Sequence, residues 1–497
     1  MRTAVGLTPL EMTLLAFEFT MEFVMPTFSK IVRFAFLGLA STALVAAVPS
    51  VASARPNVVV VFCDDLGYGD LGCYGHPTIR TPNLDRMAAE GTRFTQFYSA
   101  NPVCTPSRYS LLTGKLSIRG GMTSKKNRVL RENSKGGLPA DELTIAELLK
   151  QSGYRTMCVG KWHLGVQPEH LPMRHGFDHW FGLPYSNDMP KQLMRINTDG
   201  STVSLGSNPM FRDDEVIEHD PDQRLLTERY TDEALKFITA AADAREPFFL
   251  YLPHSMPHTP IHASRRFAGK SPRGLYGDVI EALDWSTGEI LDTLRKRGLA
   301  ENTLVVFTSD NGPWLIRHEN GGSAGLLREG KGSTWEGGQR VPGIFWMPGT
   351  VKAGAVTTEL GSTLDLLPTI AGLVGARLPD TAAADGYDLG PLLREGGKSP
   401  RKEMFFYRDD ELFAVRLGAY KAHFKTQPAY FEPKATAHEP PLLYNLDVDP
   451  SEKYDVGKDH ADVVAKIAAL AENHRASVVP VKNQLEELIP IPAGETK

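Results

Sequence analysis

Cysteine is scarce: the 497 residues hold four, Cys63, Cys73, Cys104 and Cys158. That excludes a scaffold stapled by disulfides in place of a core. No Asn-x-Ser/Thr sequon occurs, so a bacterial periplasm or secretion to the medium is expected in preference to a lysosome. No Lys/Arg-rich run is present, and the net charge is −5 with a pI near 6.3. The broad positive surface that attracts nucleic acid is therefore missing. No uncharged apolar stretch reaches the roughly 20 residues that span a bilayer. What is present, 42% hydrophobic and 23% charged residues, is the balance of a globular protein, and the length allows at least two domains, one with a large core.

Near the amino terminus, Lys30 and Arg33 precede an apolar run from Phe34 to Val48, and Ala52-Ser53-Ala54 offers small residues for processing. This is the pattern of a cleaved secretory signal. Residues 1–54 are read as an extension plus signal, with translation starting at Met25 and cleavage after Ala54. Glu18 and Glu22 break the earlier apolar stretch. The expected product is exported and keeps no stable membrane insertion.

Asn57–Cys63 is a continuous β-branched run, the mark of a strand buried on both faces. Comparable runs recur at Thr156–Val159, Phe248–Leu252, Leu304–Thr308 and Gly343–Met347. Helical signals fall between them: Thr81-Pro82, a capping box from Thr144 to Glu147, and amphipathic spans over Leu226–Ala242 and Asp278–Leu294. The alternation predicts an α/β fold with a mostly parallel central sheet sandwiched by helices. Beyond about residue 400 the pattern changes to short alternating segments and one helix over Ala461–Arg475, predicting a small antiparallel sheet with a packed helix. With Gly396-Gly397-Lys398-Ser399-Pro400 as linker, the domains are expected at 55–398 and 399–497.

Sites in open α/β sheets gather at the carboxyl ends of strands. Polar groups stand at three such ends: Asp64-Asp65, Lys161-Trp162-His163 and Asp310-Asn311. Asp64 and Asp65 alternate across their strand and converge only if the chain turns there. Three carboxylates and one amide oxygen form an all-oxygen set suited to Ca²⁺ or Mg²⁺. Cys104, ahead of Pro106-Ser107, is placed at the positive end of a helix, where an unmodified thiol is expected to have a lowered pKa.

Cys104-Thr-Pro-Ser-Arg108 with Leu111-Leu-Thr-Gly114 resembles the Cys-x-Pro-Ser-Arg signature of the type I sulfatases, in the alkaline phosphatase superfamily. Asp64-Asp-Leu-Gly-Tyr-Gly, Thr81-Pro-Asn-Leu-Asp, Gly160-Lys-Trp-His-Leu-Gly, Asp310-Asn-Gly-Pro and Gly330-Lys-Gly-Ser-Thr-Trp-Glu-Gly-Gly resemble its arylsulfatase A-like branch, in the same order. The likeness covers roughly residues 56–455. The chain departs from that branch in lacking extra cysteines and sequons, and in placing Glu329 before Gly330.

The resemblance implies that a maturation enzyme oxidises Cys104 to formylglycine. One hydroxyl of its hydrate attacks sulfur, and loss of a proton from the other expels sulfate. It further implies that Asp64, Asp65, Asp310 and Asn311 hold Ca²⁺, in preference to Mg²⁺, with residue 104 as a further ligand. Arg108 supports the hydrate or the metal carboxylates, Lys161 and Lys331 clamp sulfate, and Ser186 adds a hydrogen bond. His163 assists elimination, and His258 protonates the leaving alcohol. His254 is a further substrate contact to be tested.

The implied activity is hydrolysis of sulfate monoesters, of aryl or sulfated-carbohydrate type. A phosphonate monoester or phosphodiester hydrolase is the alternative, because a phosphodiester carries the same single negative charge. An inert binding protein on this scaffold is a third reading, against which every expected catalytic position is filled. Specificity is expected from loops 187–222 and 314–327, including the acidic Asp213-Asp214-Glu215, and from the smaller domain.

Overall fold

The computed structural model describes residues 55–189, 192–197, 199–382, 384–428, 430–431 and 434–491. The signal and its cleavage point lie outside these residues. Among them no helix is long and apolar enough to cross a membrane.

The expected α/β architecture is present. An eleven-stranded mixed sheet is built around five parallel strands. These are β1 (Asn57–Cys63), β3 (Arg155–Val159), β4 (His179–Gly182), β5 (Phe248–Pro253) and β6 (Thr303–Ser309), in spatial order β6-β1-β5-β3-β4. Beside β6 stand β7 (Arg340–Trp346) and then β2 (Thr92–Tyr98), both pairs antiparallel. Two reversals restore direction, so β2 runs the same way as β6. β2 was not anticipated, and β7 departs from the parallel set.

The period of two along β1 explains the layering. Val58, Val60 and Phe62 face one core with α2 (Cys104–Thr113), α3 (Ile145–Gln151) and α6 (Leu366–Val374). Val59, Val61 and Cys63 face another with α1 (Pro82–Glu90), α4 (Leu226–Ala244) and α5 (Leu275–Lys296). Each fully buried Val or Phe contributes about 1.5–3 kcal/mol. Local signals agree: Pro82 begins α1, and the α3 capping box closes as Thr144 Oγ1 accepts from Glu147 N at 3.0 Å while Thr144 N donates to Glu147 Oε2 at 2.9 Å.

The C-terminal part is a four-stranded antiparallel sheet, β8 (Glu403–Arg408), β9 (Glu411–Leu417), β10 (Tyr420–Thr426) and β11 (Thr436–Asn445), with α7 (Ala461–Ser477). Met404, Phe406 and Ala414 pack against Tyr98 and Leu360, whereas Val415, Ala422 and Leu443 join Ile467 and Ala471 of α7. After α7 the chain returns to the large part, where Ile489 N donates to Asn133 O at 2.8 Å and Gln484 N to Gly121 O at 2.9 Å. None of the four cysteines is paired.

Candidate active site

The carboxyl ends of β1, β2, β3, β5 and β6 open on one edge of the sheet, and the antiparallel β7 enters from that edge. Asp64-Asp65 follow β1, Cys104 follows β2, Lys161-Trp162-His163 follow β3, His258 follows β5, and Asp310-Asn311 follow β6. Lys331 lies in the loop leading into β7. The unanticipated strand is thus the one that delivers Cys104.

The turn required to bring two adjacent aspartates together occurs at Asp65, whose φ is 65°. His163 leaves β3 at φ 57°. Non-glycine residues in the left-handed region cost on the order of 1 kcal/mol each and gather at functional sites. Asp65 N then donates to Asp310 Oδ1 at 3.0 Å, and Asn311 Nδ2 donates to Asp65 Oδ1 at 2.8 Å.

Three buried carboxylates face three buried cations. Arg108 Nη2 lies 2.9 Å from Asp310 Oδ2 and 3.5 Å from Asp64 Oδ1, while its Nη1 donates to Lys161 O at 3.0 Å. Arg108 therefore braces the carboxylates. Lys161 pairs with Asp64 and donates to Ser186 Oγ at 3.3 Å; Lys331 Nζ lies 2.7 Å from Asp65 Oδ1 and 3.5 Å from Cys104 Sγ. Desolvating six charges costs several kcal/mol each before pairing returns it, an arrangement better explained by chemistry than by stability. Burial raises the pKa of Asp64, but Lys161 foremost, then His258 and Arg108, hold it well below the usual carboxylate range.

Cys104 is 2% exposed at the first turn of α2. The expected acidification of the thiol does not occur. Burial pushes its pKa up and outweighs the pull of Lys161 and Lys331. An unmodified Cys104 therefore stays a protonated, weak nucleophile. His163 Nε2 meets Leu130 O at 2.9 Å, and its Nδ1 is buried without a partner. His258 Nδ1 meets Thr259 O at 2.7 Å, which assigns the proton there and leaves Nε2 facing Asp65 Oδ2 at 3.6 Å. Burial first, then Lys331, lower His258 to about 4.

A cavity of about 270 Å³ opens over Cys104, His163, Ser186, His258 and Lys331. Lys161 and the aspartates lie beneath it. His254 does not line it: it is buried, with Nε2 3.3 Å from Ser286 Oγ, and so is not a substrate contact. Of the described residues of loop 187–222, Asp188 and Met189 reach the cavity. The acidic Asp213-Asp214-Glu215 belongs to a distant hairpin turn, where Asp214 pairs with Arg174 at 2.9 Å. Loop 314–327 contributes Trp314 and Arg317. Missing from the sequence reading are Arg131 and Glu132, and Tyr430 and Phe431 from the β10–β11 connection. No local signal marks them, because docking of separate segments brings them here.

Ligand atoms of Asp64, Asp65, Cys104 and His258 lie within 4.8 Å of one another, and Asn311 Oδ1 is buried without a partner. Hard carboxylate oxygens with an unused amide oxygen fit a divalent cation.

The sequence profile named Sulfatase matches residues 56–376, and that of the C-terminal region of aryl-sulfatase matches residues 399–494. The chain belongs to the sulfatase family. This sulfatase is 46% identical to human arylsulfatase A over 446 residues, covering 84% of this chain and 87% of that protein. It is 41% identical to the N-acetylgalactosamine-6-sulfatase of Canis lupus familiaris, covering 86% and 88%. Its fold matches the PsFucS1 sulfatase from Pseudoalteromonas sp. with a TM-score of 0.77 at 30% identity, covering 86% and 92%. Sulfatases of this kind are sulfuric ester hydrolases, and the chain is an enzyme of that class.

Proposed function

We propose that this enzyme cleaves sulfate monoesters to an alcohol and inorganic sulfate, with residue 104 as nucleophile after conversion to formylglycine. What carries the reading is the position of Cys104: at the first turn of α2, 3.5 Å from both Lys331 Nζ and Asp64 Oδ1, on the floor of the cavity. A formylglycine hydrate supplies two hydroxyls on one carbon, one to attack and one whose deprotonation releases sulfate. The raised pKa of the plain thiol gives the modification a physical reason.

Asp64, Asp65, Asp310 and Asn311 would hold the metal, for which the all-oxygen set favours Ca²⁺. A dication held there would supply charge to neutralise sulfate oxygens and to acidify a hydroxyl at residue 104. It also changes the charge balance. Three carboxylates against three cations are formally neutral; two added charges leave a positive floor for a monoanionic ester. Lys161 and Lys331 hold sulfate oxygens, and Ser186 donates a hydrogen bond. His163, with Nε2 committed to Leu130 O, has Nδ1 left for the hydroxyl of residue 104. His258 Nε2 delivers a proton to the leaving oxygen and needs the anionic ester beside it to be charged. Export with cleavage after Ala54, a formylglycine-generating partner, and domains at 55–398 and 399–497 complete the proposal.

Mass spectrometry of the tryptic peptide Phe94–Arg108, from a host with the maturation system, tests the nucleophile: CHO in place of CH₂SH is expected. Protein so modified turns over 4-nitrophenyl sulfate with Ca²⁺ present. Modified protein inactive on every sulfate ester would refute the proposal.

A further inference from the structure

The cavity carries a feature that the sulfate chemistry does not use. Glu132 lines it, is 4% exposed, and makes no ion pair or hydrogen bond through its carboxylate with any described residue. Its oxygens are not among the side-chain atoms buried without a partner, so they reach the open space of the cavity and are free to accept from a ligand there. In a cavity whose floor is built to receive an anion this carboxylate opposes the substrate's charge, so it serves no purpose for the sulfate half of the ester.

Its backbone is fixed. Glu132 O accepts from Met194 N at 3.0 Å, and Leu130 O accepts from His163. Asn133 is held on both sides by Ile489, its Nδ2 donating to Ile489 O at 2.7 Å. The carboxylate therefore stands at a set position in the chain that also orients His163.

The same cavity has an aromatic wall. Trp314 and Tyr430 have ring centroids 5.4 Å apart, Tyr430 and Phe431 4.9 Å apart, and Lys331 Nζ lies 4.4 Å from the Trp314 ring. Arg317 stacks on the Trp314 ring at 3.9 Å and Arg128 on the Tyr430 ring at 4.8 Å, so the open ring of this wall is Phe431, which is 66% exposed. Trp314 Nε1 is buried without a partner. An aromatic wall that shares one cavity with an unpaired carboxylate and an unpaired N–H matches an alcohol that presents a C–H face and several hydroxyls.

We infer that Glu132 and the Trp314–Tyr430–Phe431 wall form the subsite for the alcohol half of the ester, and that this alcohol is a sugar. Glu132 accepts hydrogen bonds from hydroxyls near the ester carbon while the sugar ring packs on the aromatic wall. The inference rests on the sulfatase proposal and narrows its substrate class.

The test compares full-length, formylglycine-containing wild type with Glu132→Ala and the isosteric Glu132→Gln. The substrates are 4-nitrophenyl sulfate, galactose 6-sulfate, and N-acetylgalactosamine 4- and 6-sulfates. Glu132→Ala is expected to lower kcat/KM on the preferred sugar sulfate about 10–100-fold, at least tenfold more than on the aryl ester. Glu132→Gln, which keeps one acceptor oxygen, should lose less. The ratio of the two activities does not depend on the folded fraction. Equal losses on both substrate types, or no loss on the sugar, would overturn the inference. So would a wild type that cleaves the aryl ester and none of the sugars, although the sulfatase proposal would then stand. Modified wild type that cleaves neither overturns both.

Discussion

Two buried ionic clusters sit on either side of the loop that carries Lys331, and they are finished differently. The cluster beneath the small sheet is closed. Glu336 uses Oε1 for Lys421 at 3.0 Å and Oε2 for Tyr98 and Arg340; Glu452 uses Oε1 for Lys421 at 3.1 Å and His423 at 2.7 Å, and Oε2 for Glu336 N at 2.6 Å. Every carboxylate oxygen is spent, and the one orphan among these groups is His423 Nδ1, on a ring packed 4.3 Å from that of Trp335. The cluster at the sheet edge pairs its carboxylates as well, yet Arg108 Nε, His163 Nδ1, Asn311 Oδ1 and Trp314 Nε1 are buried without partners, and a cavity stands above it. Buried charge alone therefore does not mark a site. Several unspent hydrogen-bonding atoms gathered beside open space do, because each is a standing cost that a ligand or an ordered water removes.

The contrast can be broken by substitution. Removing the open cluster's reactive group should have the largest effect: Cys104→Ala should lower kcat on 4-nitrophenyl sulfate by about 10³-fold or more, with the melting temperature little changed. A drop of only a few fold would remove residue 104 from the chemistry. In the closed cluster, Lys421→Met removes the cation that Glu336 and Glu452 share and should cost about 3–5 kcal/mol of stability, read as a lower urea midpoint. The KM of the protein that remains folded should stay near the wild-type value.

Acid probes the closed cluster more gently. Burial lowers the pKa of His423 and outweighs the opposing pull of Glu452. The folded pKa lies below the unfolded value of 6.5, so the contribution of His423 is intact above pH 6.5. It is lost as pH falls from there through the folded pKa. Urea titrations from pH 8 to 4.5 should show that decline, and His423→Gln should flatten it. A gain in stability on acidification would mean that the ion pair with Glu452 dominates burial. The smallest effect is expected at the cavity rim, where Phe431→Ala should raise KM for 4-nitrophenyl sulfate about two- to fivefold and leave stability unchanged.

Much of the fold was legible. β1 announces itself because both faces are buried and no polar residue interrupts it, and α3 because its cap is written in Thr144 and Glu147. β2 was missed because its Thr-Arg-Phe-Thr-Gln-Phe-Tyr pattern looks half-solvated. Its polar residues Gln96 and Tyr98 are covered by Arg416 of the small sheet, which hydrogen-bonds both. The direction of β7 was not readable either, since a buried strand carries the same residues in either sense.

The residues proposed to bear the chemistry can be read from the sequence itself. Aspartates, lysines and histidines sit where apolar runs end, and a strand's carboxyl end is a local property that a window of ten residues reveals. Only the tertiary structure decided which of them share one cavity, because residues as distant in the chain as 64 and 331 meet only where parallel strands stop along a common edge. The same holds for their chemical state. The thiol of Cys104 is weakened, not activated, and Glu132 is left unpaired, because desolvation and partnership are set by what packs around a group and not by its neighbours in the chain.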